Sequence, residues 1–385
     1  VSELGQLFVL LALIYAFECA AFVPRRALGI ARRFGRWGVR PAFAASAAWR
    51  RGFVFGEPWP PLSPALVTEP LPLIVGPDGL RAGPDADVVP WEKVERVSAD
   101  GTKLIVNGDT TLFATRRAAK AVAEVFDGLG GQPRAERERR LRRWLDARFD
   151  DDAIEERLPP LERETLPARI AASVLWVSVF IGLPVLLWTP LATWFLAVGA
   201  AAGVSWLAAA ILFEVALRRK GSAARALRPD LSKRIAAIAS PIATMRACDH
   251  LARELAGDLD PLAVAAPLVT AAELRTFGRA RLIELKFRRS DDDDGAGEAD
   301  RAWWQREILK RVERTLRDHD VDPETLLAEP ARDGDDMIVW CPRCLAQYRA
   351  GTETPRACAN AACEGFVLCP FDQPGGVTPA RNSPA

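Results

Sequence analysis

Histidine, methionine and tyrosine are nearly missing from this 385-residue chain, which holds two of each. With only His250 and His319, general bases are few. No P-loop, dinucleotide fingerprint, HExxH or GxSxG pattern occurs, so the best-marked catalytic sites are absent from the sequence. Lysine is scarce as well: of 51 basic residues, 7 are Lys and 44 are Arg. Beside abundant Ala, Pro and Gly, that is the coding bias of a GC-rich bacterial genome, and arginine frequency alone is no sign of phosphate recognition. A net charge of +1 exerts no global pull on nucleic acid. The largest absence is local. From Ile170 to Phe213, 44 consecutive residues include no Asp, Glu, Lys, Arg or His.

A hydrocarbon layer about 30 Å thick is crossed by roughly 20 helical residues. The uncharged run therefore fits two transmembrane helices, 170–188 and 191–213, joined by a tight turn at Trp188-Thr189-Pro190-Leu191. Pro190 suits the first turn of a new helix. A third apolar stretch covers residues 4–23, where Glu18 is near enough to one end to reach the interface. A cleaved signal peptide would want basic residues ahead of it, yet Val1 to Gln6 carries only Glu3. Glu18 also occupies a position that a lipoprotein site at Cys19 reserves for a small residue. A retained span is expected, and the initial Val1 leaves an earlier start open.

Flanking charge orients these spans. Arg25, Arg26, Arg32, Arg33, Arg36 and Arg40 follow the first, with no acid until Glu57. Arg163 and Arg169 precede the hairpin, and Arg218, Arg219 and Lys220 follow it, while its turn carries no charge. Basic flanks stay in the cytoplasm. The expected topology is a multi-pass protein of the bacterial inner membrane, with its N-terminus outside and its C-terminus cytoplasmic. Gly199 and Gly203 form a GxxxG on an Ala-rich helix, which allows close helix approach in lipid. Packing inside the hairpin is the expectation, with homodimerisation through Gly199 and Gly203 as the alternative.

Residues 25–70 form a basic juxtamembrane segment and a Pro-rich linker. Arg25–Arg51 is placed to contact anionic lipid, each Arg adding about 1 kcal/mol near the surface. From 71 to 130 the pattern changes to short apolar runs with turn signals. Gly76-Pro77-Asp78-Gly79, Asp100-Gly101 and Asn107-Gly108 separate β-rich segments, the strongest short-range hairpin signals. A helix of about Arg116 to Leu129 follows, giving a meander of four to six strands capped by a helix. On Gly79-Leu80, Val89-Pro90-Trp91-Glu92-Lys93-Val94 and Asp100-Gly101 before Leu104-Ile105-Val106, this stretch resembles the pleckstrin-homology-like domains of bacterial membrane proteins. The resemblance implies a packing or interaction module without a catalytic role, and Trp91 is expected in the core.

Residues 134–168 comprise a charged helix, Arg134 to Arg157, and a linker. Residues 218–330 form a cytoplasmic helical region, interrupted by an acidic loop at 291–298. Leu231, Ile235 and Ile238 mark one apolar face, Leu251, Leu255 and Leu259 another, and Trp304, Ile308, Val312 and Leu316 a third. His319 falls on the exposed side by that count. Cys248 beside His250 suits a helical core better than a site.

Five of the seven cysteines fall between Cys341 and Cys369. Clustered pairs in a reducing compartment are metal ligands. Cys341-Pro342-Arg343-Cys344 is a knuckle that turns backbone amides toward sulfur. With Cys358 and Cys363 it resembles a zinc ribbon over 337–370, followed by a disordered tail at 371–385. The four ligands are Cys341, Cys344, Cys358 and Cys363, with Cys369 as the alternative fourth. Four thiolates close the coordination sphere, so Zn²⁺ is expected to be structural. Acids (Asp333, Asp335, Asp336, Glu353, Glu364) outnumber bases (Arg343, Arg349, Arg356) around it, which disfavours nucleic acid.

The fold class expected is thus a multi-domain α+β membrane protein with three transmembrane helices, a small β-rich domain, a helical region and a zinc ribbon. The function expected is a scaffold or adaptor binding cytoplasmic or membrane proteins. The alternatives are a membrane-associated enzyme with an Asp/Glu-based site and a membrane-tethered nucleic-acid-binding regulator.

Overall fold

A computed structural model of the chain describes residues 5–6, 9–10, 28–33, 36–40, 65–68, 73–82, 89–112, 115–182, 185–186, 194–227, 234–235, 237–238, 243–287, 298–349, 358–360, 363 and 367–371. It is an α+β protein of small sheets and long helices. The expected first span, 4–23, the hairpin turn and the acidic loop lie largely or wholly outside these residues.

Three strands fall where a basic segment and linker were expected. β1 (Leu28–Arg33) pairs antiparallel with β2 (Arg36–Arg40) and with β3 (Ala65–Thr68), so part of the Pro-rich stretch is a strand.

The next six strands form two antiparallel meanders. β4 (Leu73–Val75), β5 (Gly79–Ala82) and β6 (Val89–Pro90) make one; β7 (Val97–Asp100), β8 (Lys103–Val106) and β9 (Asp109–Leu112) make the other. Asn107 and Gly108 both adopt positive φ, 51° and 98°. That matches the twist of the flanking strands and fits a two-residue hairpin. The Asn107 carboxamide then accepts from the Glu95 amide at 2.9 Å, tying this turn to the segment that leads into β7. Helix α1 (Arg116–Phe126) closes the unit, its Thr115 cap accepting from the Ala118 amide at 3.0 Å. Trp91 is fully buried and donates its indole N–H to the Gly76 carbonyl at 2.8 Å.

The single charged helix expected over 134–157 is two helices. α2 (Arg134–Arg148) stops at Phe149, whose ring is buried, and α3 (Asp152–Val177) begins after Asp151. α3 then runs through the expected linker despite Pro159, Pro160 and Pro167. Its buried stripe explains why. Ile154, Leu158, Leu161, Thr165, Ala168, Ala172 and Leu175 alternate at four and three residues, a heptad seam whose packing outweighs local propensity. A π-helical segment, Ser178–Gly182, extends the same rod.

α4 (Phe195–Arg218) returns beside α3, and α5 (Ala243–Ala256) packs against α3 as a third member. Ala172, Ala209 and Met245, one from each helix, meet in a small cluster. Two apolar helices, Asp152–Gly182 and Leu196–Arg218, are long and apolar enough to cross a membrane. Their outward faces are uncovered: Ile170, Val174, Val177 and Ile181 on one, Leu196, Val204, Leu207 and Ile211 on the other. Leu196 is 83% exposed and Val204 70%. A helix in the core of a soluble domain would not leave a continuous apolar band open to water. Gly199 and Gly203 belong to that open surface. A Cβ added at either would meet no described residue within 4 Å, so among the described residues nothing packs closely on this GxxxG.

Helices α6 (Ala271–Phe287) and α7 (Glu298–Asp318) complete the second half. They do not form a separate domain. One apolar cluster runs from Val75 in β4, through α1 and α2, to Val321 beyond α7. A row of rings spans it: Trp91 on Phe126 (5.3 Å), Phe126 on Trp144 (5.4 Å) and Trp144 on Trp304 (5.7 Å). Asp300 of α7 accepts from the Asp78 amide at 3.0 Å, across 222 residues of sequence. Gly76 is required there, because a Cβ would fall 1.9 Å from the Asp300 carboxylate. Buried Arg311 of α7 donates to Asp146 at 3.0 Å and to the Arg142 carbonyl at 3.1 Å on α2. Asp260 pairs with Arg281 at 3.3 Å and donates its amide to the Arg148 carbonyl at 2.7 Å. Burial lowers the Arg148 guanidinium to about 10.

Ile235 and Ile238, expected on one apolar face, are exposed; the Ile238 carbonyl accepts from the Trp206 indole at 2.6 Å on α4. His319 is half-buried, 2.5 Å from Asp151.

Trp304→Ala removes the last ring of the row and opens a cavity, at an expected cost of about 3–5 kcal/mol. Because the core is shared, limited proteolysis should accelerate within residues 73–126 as well as within 243–318. Loss of protection confined to the later helices would show two independent bodies instead.

Candidate metal centre

The last strands form a three-stranded antiparallel sheet in the order β11–β10–β12: β10 (Met337–Trp340) is central, with β11 (Gln347–Arg349) and β12 (Cys369–Pro370) on its edges. Apolar Ile338-Val339-Trp340 supplies the strand, and Cys341-Pro342 ends it. The Cys341 amide donates to the Ala346 carbonyl at 2.9 Å, and the Leu345 amide returns to the Cys341 carbonyl at 2.8 Å. Leu345 takes the left-handed φ of 63° that this reversal needs. Phe371, placed in the tail by sequence, is tied to the sheet: its amide donates to the Ile338 carbonyl at 3.0 Å, and its buried ring carries the Arg332 guanidinium 4.8 Å away.

This reversal gathers Cys341, Cys344, Cys358 and Cys363, whose sulfurs all lie within 4.8 Å of one another. The Cys344 and Cys358 sulfurs are 3.5 Å apart. A tetrahedral tetrathiolate site with metal–sulfur bonds of about 2.3 Å has edges of about 3.8 Å. The observed spread brackets that value, so these residues can hold a metal ion. Cys369 stands outside the group, paired across the sheet with Trp340.

Hydrogen bonding around the sulfurs is that of a ligand set. The Arg343 and Cys344 amides both donate to the Cys341 sulfur, as the knuckle spacing predicts. The Tyr348 hydroxyl donates to Cys358 at 3.0 Å and accepts from the Ala359 amide at 2.9 Å; the Asn360 amide donates to Cys358 at 3.4 Å. Burial pushes the Cys341 and Cys363 thiols above their ordinary range, and pushes Cys369 up to about 11. For Cys358 burial acts upward too. Donation from Tyr348, the Asn360 amide and the neighbouring thiols together outweighs it and brings Cys358 down to about 7. Four close thiols cannot all ionise alone; a cation removes that conflict.

The site also reaches the helical core. Arg279 of α6 donates to the Pro342 carbonyl at 2.7 Å, and the Val367 amide donates to the Phe287 carbonyl at 2.8 Å. Neither contact carried a signal in the sequence, since each partner lies in a different element from the cysteines. The other flagged thiol, Cys248, is fully buried in α5, with His250 3.8 Å from Glu254. That pair is part of the helical packing.

In metal-free protein, alkylation at Cys358 should follow a midpoint near pH 7. Tyr348→Phe, by removing one donor, should move that midpoint upward. Mass-spectrometric pH profiles check both; a wild-type midpoint of 9 or above, the ordinary thiol value, contradicts the geometry described.

No family model matches this chain, and no similar protein was found among curated proteins or solved structures.

Proposed function

We propose that this chain is an adaptor of the bacterial inner membrane, presenting one cytoplasmic body and a zinc-stabilised ribbon to protein partners. The observation that carries the reading is the core shared across the apolar hairpin. Segments before and after two membrane crossings can share a core only if both ends of the hairpin emerge on one face. The uncovered apolar band on α3 and α4 supports lipid around the hairpin. The arginine-rich flanks put the body in the cytoplasm, and residues 4–23 add the first span, with the N-terminus outside.

Cys341, Cys344, Cys358 and Cys363 hold Zn²⁺ in this reading. Four protein sulfurs leave no open position, so the ion supplies folding energy to a small module and does no chemistry itself. The ribbon leaves Leu345 and Val367 exposed, 43% and 46%, amid a surplus of acids. Such a surface suits protein and repels a phosphate backbone. The outward Gly199/Gly203 face supports contact with a second copy in the membrane.

Purified protein should carry one zinc per chain, and Cys341→Ser/Cys344→Ser should lose it together with partners captured by crosslinking in intact membranes. A variant that keeps every partner would exclude the ribbon as the contact surface. A reporter fused after Ala385 should be active only in its cytoplasmic form; periplasmic activity would overturn the topology.

A further inference from the structure

One peptide plane in the knuckle is held from both ends. The Arg343 amide points at the Cys341 sulfur. In a trans peptide the carbonyl of the same plane, that of Pro342, points the opposite way. There it meets the Arg279 guanidinium at 2.7 Å. Arg279 comes from the middle of α6, 63 residues earlier in sequence and part of the shared body. Charge-assisted donation to a carbonyl polarises its peptide, and hydrogen bonds linked through one peptide strengthen one another. The chain guanidinium, carbonyl, amide, sulfur therefore makes Cys341 a better-oriented ligand.

Charge acts in the same direction. Four thiolates and one Zn²⁺ sum to a charge of −2, and the cysteine-bearing segment is itself rich in acids. Arg279 sets a half-buried cation beside the centre. A second bond ties the other half of the ribbon to the same helix, where the Phe287 carbonyl at the end of α6 accepts from the Val367 amide. No described helical residue donates to that carbonyl, and the ribbon supplies a donor to it.

Resting on the zinc reading above, we infer that Arg279 is a positioning residue of the metal centre, orienting Cys341 through the Pro342–Arg343 peptide and coupling zinc loading to docking of the ribbon on α6. Metal and dock are then one equilibrium. Removing zinc loosens the ribbon from the body, and removing the guanidinium weakens zinc.

The test uses the full-length protein in detergent, with zinc as the probe. Zinc affinity is measured by competition with a chromogenic chelator for wild type, Arg279→Met and Arg279→Lys, and hydrogen exchange is followed at the Val367 amide. Arg279→Met should bind zinc roughly 10–100-fold more weakly, the usual effect of losing a partner behind a metal ligand. Arg279→Lys should recover most of that loss. Val367 should exchange faster in wild type after zinc removal, and faster in Arg279→Met even with zinc present. Amides of Ala119 and Val122 in α1 report whether the body remains folded. A body that stays folded while zinc affinity and Val367 protection both equal wild type overturns the inference alone. Wild-type protein that takes up no zinc overturns the metal reading and this inference with it.

Discussion

Everything in this structure depends on one core built from two stretches of chain that an apolar hairpin separates. Trp91 and Phe126 come from before the hairpin, Trp304 from after it, and Trp144 joins them. Burial of large rings is worth more per residue than any polar contact here. The polar contacts supply register. Asp300 caps a turn 222 residues away, and Arg311 grips α2 through a carboxylate and a carbonyl. Neither half buries its apolar surface without the other, so both ends of the apolar hairpin are tied to one body.

The candidate metal centre stands at the edge of this body. Its sheet is short, with strands of four, three and two residues, and it encloses little apolar surface. A bound ion would add folding energy to such a module. Contacts from α6 at two points of the cysteine-bearing segment tie it to the larger core. The architecture is then a series of dependencies, from hairpin to body to ribbon, each stage fixing the next.

Much of this was legible in the sequence, and the gaps have physical causes. Turn chemistry located the strands well: Asp100-Gly101 and Asn107-Gly108 fall at the observed reversals, because positive φ favours few residue types. Helical faces at Leu251/Leu255/Leu259 and Ile308/Val312/Leu316 are buried as their spacing predicts. The knuckle and its amide–sulfur bonds were legible too, since the Cys-Pro-x-Cys spacing is itself local. Three prolines concealed the continuity of α3, where a heptad seam outweighed propensity. Local pattern could not reveal Arg279, Asp300 or the ring row, which depend on contacts between distant segments. The exposed Gly199 and Gly203 show a related limit: small residues four apart report close approach without saying to what.

The most direct test is photo-crosslinking in intact membranes. With a photoreactive phenylalanine analogue at position 144, the shared core predicts an intramolecular crosslink to the Trp304 turn of α7, mapped by mass spectrometry. Crosslinks confined to residues before the hairpin would contradict it.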